Sequence, residues 1–174
     1  MNRLFAAILA LAFTFVAYAH EPAQLTTIIL VRHAEKNTDP ANKDPELTAA
    51  GAARAQALAQ MLAKSGVTAI YTTPYARTRS TAAPLATALK LTPIEVNVSK
   101  TFANDMAAKL REHHGGTIVV VGHSNTTQDV IKALGIENAP TIEEWEFDNL
   151  FIVTIGDNTI PAMTQLKYGA TSTK

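Results

Sequence analysis

Five short runs of β-branched and apolar residues recur along this chain: Thr26–Val31, Val67–Tyr71, Ile94–Val98, Thr117–Val121 and Leu150–Ile155. The fourth, TIVVV, constrains the fold most. It has no polar alternation, so both of its faces must be covered, as in a central strand sandwiched between helices. Stretches of helical character separate the runs: Thr48–Lys64, Pro74–Leu89, Asn104–His114 and Ser124–Leu134. In the first of these, Leu47, Arg54, Leu58, Met61 and Leu62 fall near one stripe. Ser65-Gly66, Gly115-Gly116 and Gly135 follow three of the helices as stop signals. Strand and helix alternating at this spacing predict βαβ units. The expected fold class is α/β: a three-layer α/β/α sandwich around a mostly parallel, mixed sheet of about six strands. The sixth is the weaker run Ala162–Tyr168.

Residues 1–19 stand apart. Sixteen of them are hydrophobic, Arg3 is their one charged side chain, and Ala17-Tyr18-Ala19 is a small-x-small tripeptide before His20. That is the layout of a secretory signal peptide, with an apolar stretch shorter than the roughly 20 residues of a spanning helix. The expectation is cleavage after Ala19, no stable membrane insertion afterwards, a periplasmic or secreted location, and a single domain over 20–174. The 47% hydrophobic content of the whole chain is inflated by this segment. Lack of cysteine excludes disulfides, thiolate metal sites and a cysteine nucleophile. Fifteen Lys and Arg balance fifteen Asp and Glu, which argues against a nucleic-acid surface but permits a small cationic pocket. Nothing in the pattern specifies an oligomeric state.

Ligands of open α/β sheets lie beyond the carboxyl ends of the strands, so the residues that follow each run carry the functional signal. The first run leads into Arg32-His33-Ala34-Glu35, the second into Thr72-Thr73-Pro74-Tyr75-Ala76-Arg77, and the fourth into Gly122-His123-Ser124-Asn125. Two His and two Arg, distant in sequence, thus converge on one sheet edge. Arginine offers a planar donor fork suited to phosphoryl oxygens. One imidazole can act as a nucleophile, and a second can donate to a developing anion. The polar stretch Lys36–Glu46 is expected as a surface loop that frames an open mouth together with the stretch near Phe102. The spacing between Arg77 and His123 leaves no room for a cap domain.

These residues resemble the histidine phosphatase superfamily, also called the phosphoglycerate mutase-like family. Arg32-His33-Ala34-Glu35 is similar to its Arg-His-Gly/Ala-x signature, and Leu47-Thr48-x-x-Gly51 to its Leu-Thr-x-x-Gly helix opening. Pro74-x-x-Arg77…Thr81-Ala82 is similar to its Pro-x-x-Arg-Ala-x-x-Thr-Ala element, and Val120–Ser124 to its second-histidine strand. The nearest flavour is the small bacterial branch that includes SixA-like phosphohistidine phosphatases. The resemblance implies a phosphoglycerate mutase-like fold and a phosphatase acting on a small-molecule or macromolecular phosphate, with no metal or other cofactor. It implies that His33 is the nucleophile, that Arg32 and Arg77 clamp the phosphoryl oxygens, and that His123 completes the pocket. Asn37 and Ser124 are further candidates for phosphate contact, while Ser124 and Asn125 also read as caps of the helix they open.

Two departures bear on the leaving group. One branch of the family carries Asp directly after the second His, where this chain has Ser124. The mutase branch carries Glu in a Leu-x-Glu context, where this chain reads VSKTFAND over 98–105. Glu35 and Asp105 remain as candidate proton donors, Asp105 reading also as a first-turn helix residue; a site without a dedicated acid is the third possibility. Weak acid assistance favours phosphoramidates, acyl phosphates or pyrophosphates over sugar phosphates. It weighs against a phosphomutase and leaves a non-catalytic phosphoryl-binding or sensing module as the alternative. His113-His114 reads as a solvated helix end, because adjacent helical residues diverge by about 100° and cannot share an ion. Arg79 reads as a surface residue, Asp148 as structural, and Trp145 as a core or lid aromatic.

Overall fold

The computed structural model describes residues 24–174. The signal peptide expected over 1–19 lies outside the described residues. Among those described, no helix is long and apolar enough to cross a membrane. The elements in chain order are β1 (Thr26–Arg32), α1 (Ala49–Leu62), β2 (Val67–Thr72), α2 (Ala76–Leu89), β3 (Ile94–Glu95), α3 (Phe102–Arg111), β4 (Thr117–Gly122), α4 (Ser124–Ala133), β5 (Asn149–Ile155) and β6 (Ala162–Lys167).

The strands form one sheet in the order β3-β2-β4-β1-β5-β6. The first four run parallel, while β5 pairs antiparallel with β1 and β6 antiparallel with β5. This is the mixed sheet expected. β4 lies between β2 and β1, which explains its continuous apolar run. Ile118 and Val120 face a core layer with Met106 and Leu110 of α3 and Val130 and Ile131 of α4. Val119 and Val121 face the opposite layer with Leu58 and Leu62 of α1 and Ala82 and Leu85 of α2. The period of two in a strand thus feeds both cores from one short segment. Arg54 is buried on the inner face of α1, whereas Met61, expected on the same stripe, is exposed.

β1 and β4 are neighbours, but their following helices lie on opposite faces of the sheet. The chain therefore parts between their carboxyl ends, which is where an open α/β sheet leaves a crevice. His33 and His123 emerge at this point.

Some boundaries differ from expectation. β3 shrinks to two residues, both exposed, because an edge position gains little from burial. α3 begins at Phe102, whose side chain is buried in the core, rather than at Asn104. Phe102 is accordingly not part of a pocket mouth. α3 ends at Arg111, and Gly115 and Gly116 turn the chain at φ of 89° and 81°. His113 and His114 thus lie beyond the helix. His113 is not simply solvated: its Nε2 lies 2.9 Å from the Tyr71 hydroxyl, and its carbonyl accepts from Thr26 at 2.6 Å.

Candidate active site

The family-like motif Leu47-Thr48-x-x-Gly51 has a local explanation. Thr48 caps α1, its Oγ1 accepting from the Gly51 N–H at 3.1 Å, while its own N–H donates to the Glu35 carbonyl at 2.9 Å. A Cβ on Gly51 would lie 2.1 Å from that same carbonyl oxygen. Glycine therefore lets the start of α1 press against the segment that follows His33. The Thr81-Ala82 pair works from the other side. Ala34 N–H donates to Thr81 Oγ1 at 2.9 Å, and Ala82 is fully buried. The His33 backbone N–H itself donates to the Gly122 carbonyl at 2.9 Å, tying β1 to β4.

His33 is buried, with its Nδ1 2.8 Å from the Ala34 carbonyl. A carbonyl only accepts, so Nδ1 carries the hydrogen and Nε2 keeps the lone pair. Burial, and then the charges of Arg32, His123 and Arg77, push the His33 pKa down to about 3. The ring is neutral near pH 7, as a nucleophile must be.

The His123 ring lies 5.5 Å from that of His33, centroid to centroid. Its tautomer is set by a chain of hydroxyls. The Thr78 hydroxyl lies 2.8 Å from the Thr73 carbonyl and 2.9 Å from the Tyr75 carbonyl, and can only donate to these. Thr73 then donates to Thr78 Oγ1, at 2.9 Å, and accepts from His123 Nε2–H, at 3.0 Å. That leaves His123 Nδ1 as an acceptor facing Arg77 NH2, 3.4 Å away. Burial, then Arg77 and Arg32, lower the His123 pKa to about 4. The Tyr75 ring packs edge-on against His123 and lies under the Arg77 guanidinium, 4.4 Å from its centroid.

Arg32 is almost fully buried. Its guanidinium stacks on Phe147 at 4.4 Å, and NH1 donates to the Glu143 and Glu146 carbonyls at 2.9 and 3.3 Å. NH2 donates to Glu144 Oε2 at 2.6 Å. Its Nε–H and that of Arg77 are buried without a hydrogen-bond partner. Arg77 NH1 lies 3.5 Å from Asp44, whose carboxylate also accepts from Ala76 N–H at 2.9 Å at the start of α2.

The structure thus brings together Arg32, His33, Arg77, His123 and Ser124. Three other candidates are engaged elsewhere. Glu35 accepts from Arg54 at 2.7 to 3.1 Å. Burial works to raise its pKa, but the Arg54 hydrogen bonds and charge overcome this and leave it below the ordinary carboxylate value. Its partner Arg54 is also held by the Tyr168 and Ala170 carbonyls, on the side of α1 and the C-terminal tail, so this carboxylate stays committed to Arg54. Asp105 is exposed on the first turn of α3 and accepts from Thr101 at 2.8 Å. Asn37 is exposed, and its Oδ1 accepts from the Asp39 N–H at 3.1 Å in a local turn. Ser124 opens α4, but His123 occupies the cap position, and the Ser124 hydroxyl donates to Glu144 Oε1 at 2.7 Å. Asp148 is buried and bonded to Lys167 and Ser172, as a structural residue. Trp145 is half-buried beneath Lys174, whose Nζ lies 5.4 Å from the ring. Sequence reasoning missed Thr73, Tyr75, Asp44, Phe147 and Glu144. Tyr75 lies inside a matched motif and Thr73 directly before it; Glu144 and Phe147 come from a loop after α4 with no pattern of its own.

Residues 28–104 match the family model of the histidine phosphatase superfamily (branch 1). No curated protein matches the sequence. Among solved structures, the protein histidine phosphatase SixA in complex with tungstate superposes with a TM-score of 0.66 at 17% identity, over 81% of this chain and 96% of that one. A phosphoglycerate mutase from Bacillus anthracis str. Sterne gives 0.62 at 14% identity, over 83% and 93%. A phosphoserine phosphatase from Entamoeba histolytica, in complex with 3-phosphoglyceric acid, gives 0.59 at 21% identity, over 84% and 98%. Residues 28–104 are thus similar to the histidine phosphatase superfamily (branch 1), and the chain has the fold of SixA and of the phosphoglycerate mutase.

Proposed function

We propose that the protein is a phosphatase that hydrolyses phosphate monoesters or related phosphoryl compounds through a covalent phosphohistidine on His33. The observation that carries this reading is the state of His33: buried, neutral, with Nδ1–H held by the Ala34 carbonyl and Nε2 free to attack. Nε2 forms the bond to phosphorus as the bond to the leaving oxygen breaks. Water then attacks phosphorus, the electron pair of the N–P bond returns to Nε2, and inorganic phosphate is released. Phosphoryl transfer asks mainly for positioning and charge stabilisation. Arg32 and Arg77 supply the positive charge, so the mechanism needs no metal. His123, aligned by Thr73, borders the same space.

The test is phosphate release from a panel of aryl, alkyl and phosphohistidine substrates, with His33→Ala as the control. Release by the wild type and none by the variant is expected. Release that survives His33→Ala would refute the assignment. A silent panel combined with stabilisation by orthovanadate would mark a binding module instead.

We also infer export to the periplasm or beyond, on the strength of residues 1–19. Mass spectrometry of protein from a secreting host should find an N-terminus at His20. A chain retaining Met1 inside the cell would contradict this.

A further inference from the structure

The residue directly after the second histidine is Ser124, where another branch of the superfamily carries a carboxylic acid. In this structure a carboxylate nevertheless stands beside that position. Glu144, from the loop between α4 and β5, accepts from the Ser124 hydroxyl at 2.7 Å through Oε1 and from Arg32 NH2 at 2.6 Å through Oε2. The side chain is largely exposed, but the loop that bears it is braced. The Glu143 carbonyl accepts from Arg32, and the Glu143 N–H donates to Glu146 Oε2 at 3.0 Å. The Phe147 and Asp148 N–H groups donate to Ser172 Oγ at 2.9 and 3.1 Å, pinning the loop to the C-terminal tail.

We propose that Glu144 is the proton donor to the leaving group, delivered by the α4–β5 loop and positioned by Ser124. This inference rests on the phosphatase reading of His33. The neighbouring charged and titratable groups are Arg32 at the end of β1, His33 after it, Arg77 of α2, His123 before α4, and Glu143 and Glu146 on its own loop. The Ser124 hydrogen bond, with Arg32 and against partial desolvation, keeps Glu144 ionised in this arrangement. A phosphoryl dianion changes that balance. It takes over Arg32 NH2 and sets a like charge beside the carboxylate, and both effects favour the protonated acid. Ser124 holds the other oxygen in place meanwhile.

The step balances. Nε2 of His33 bonds to phosphorus, the P–O bond breaks with its electron pair on the leaving oxygen, and the Glu144 proton passes to that oxygen. The alcohol leaves, and Glu144 remains as a carboxylate. In the second half it takes a proton from the attacking water, and the N–P bond breaks toward Nε2. His33 keeps its Nδ1–H on the Ala34 carbonyl throughout.

The experiment compares wild type with Glu144→Gln on p-nitrophenyl phosphate, which needs little protonation on departure, and on an alkyl phosphate, which needs much. General acid catalysis contributes on the order of 100-fold or more. The variant should therefore lose at least about 100-fold in kcat on the alkyl ester and less than about 3-fold on the aryl ester. Ser124→Ala should show the same selective loss in weaker form. Equal losses on both esters would overturn the proposal and indicate a structural role. A lower KM and tighter vanadate binding with unchanged kcat would overturn it in favour of a competing anion on Arg32. Either result leaves the His33 reading intact, provided wild-type turnover vanishes in His33→Ala. A wild type that turns over neither ester overturns both.

Discussion

Replacing Arg54 by Met removes the side chain that ties the segment after His33 to α1 and to the C-terminal tail. Arg54 is buried and spends its donors on Glu35 and on two carbonyls, Tyr168 and Ala170, each at 2.8 Å. Met conserves much of the volume but none of the donors. It leaves a partly buried carboxylate without its partner and two acceptors without donors. Breaking a buried pair by removing one member costs about 3–5 kcal/mol. For a domain of this size that lowers Tm by roughly 6–20 °C. Urea titration at pH 7 and thermal melting followed by circular dichroism would measure both. Glu35→Gln in the Arg54→Met background should recover part of the loss, because a stranded charge costs more than a stranded amide. The pH dependence gives a second check. The folded Glu35 pKa lies below its ordinary value of 4.5, so the pair contributes fully above that value. Its contribution fades as pH falls through the folded pKa, and Arg54→Met should abolish that part of the acid sensitivity. A loss below about 1 kcal/mol, with unchanged acid sensitivity, would refute the reasoning.

Other predictions follow from the same contacts. Gly51→Ala places a Cβ 2.1 Å from backbone that cannot yield cheaply, so α1 should shift and stability should fall by more than the usual helix gain of alanine; a melting temperature at or above wild type would contradict this. Thr73→Val removes the acceptor of His123 Nε2–H, and kcat should drop by at least about 10-fold with the fold intact by circular dichroism; unchanged kcat would show that the tautomer chain does not matter. His33 and His123 titrate at about 3 and about 4 in the folded protein against an ordinary 6.5. The unfolded chain therefore binds protons that the native state refuses, and stability should fall on acidification from about 6.5 toward 4. His33→Asn should flatten this dependence in denaturant titrations at pH 7 and pH 5; an equally steep dependence in the variant would exclude His33 as its source.

The layered α/β architecture was legible because β4 is apolar on both faces and three of the four helices between strands are followed by glycine. Arg32, His33, Arg77 and His123 were legible because each lies at or just past the end of a strand or in the first turn of a helix. Arg54 was placed near the core stripe, but its role was not, since its partner Glu35 lies 19 positions away and its carbonyl acceptors more than 100. Glu35 was misjudged for the same reason: adjacency to His33 in sequence says nothing about which side of the loop a carboxylate serves. The start of α3 was missed because tertiary burial of Phe102 outweighs the capping signal of Asn104. Glu144 escaped notice because the loop over 137–148 follows no period. What places it is a long-range bond to Arg32, 112 positions earlier.

The central claim is that phosphate passes through His33. Rapid mixing with a radiolabelled aryl phosphate, quenching in alkali and peptide mapping would test it directly. The account predicts a burst of alkali-stable, acid-labile phosphate on the peptide containing His33, absent in His33→Ala. Phosphate release at the full rate with no labelled enzyme at any time, or label carried on His123 instead, would contradict it.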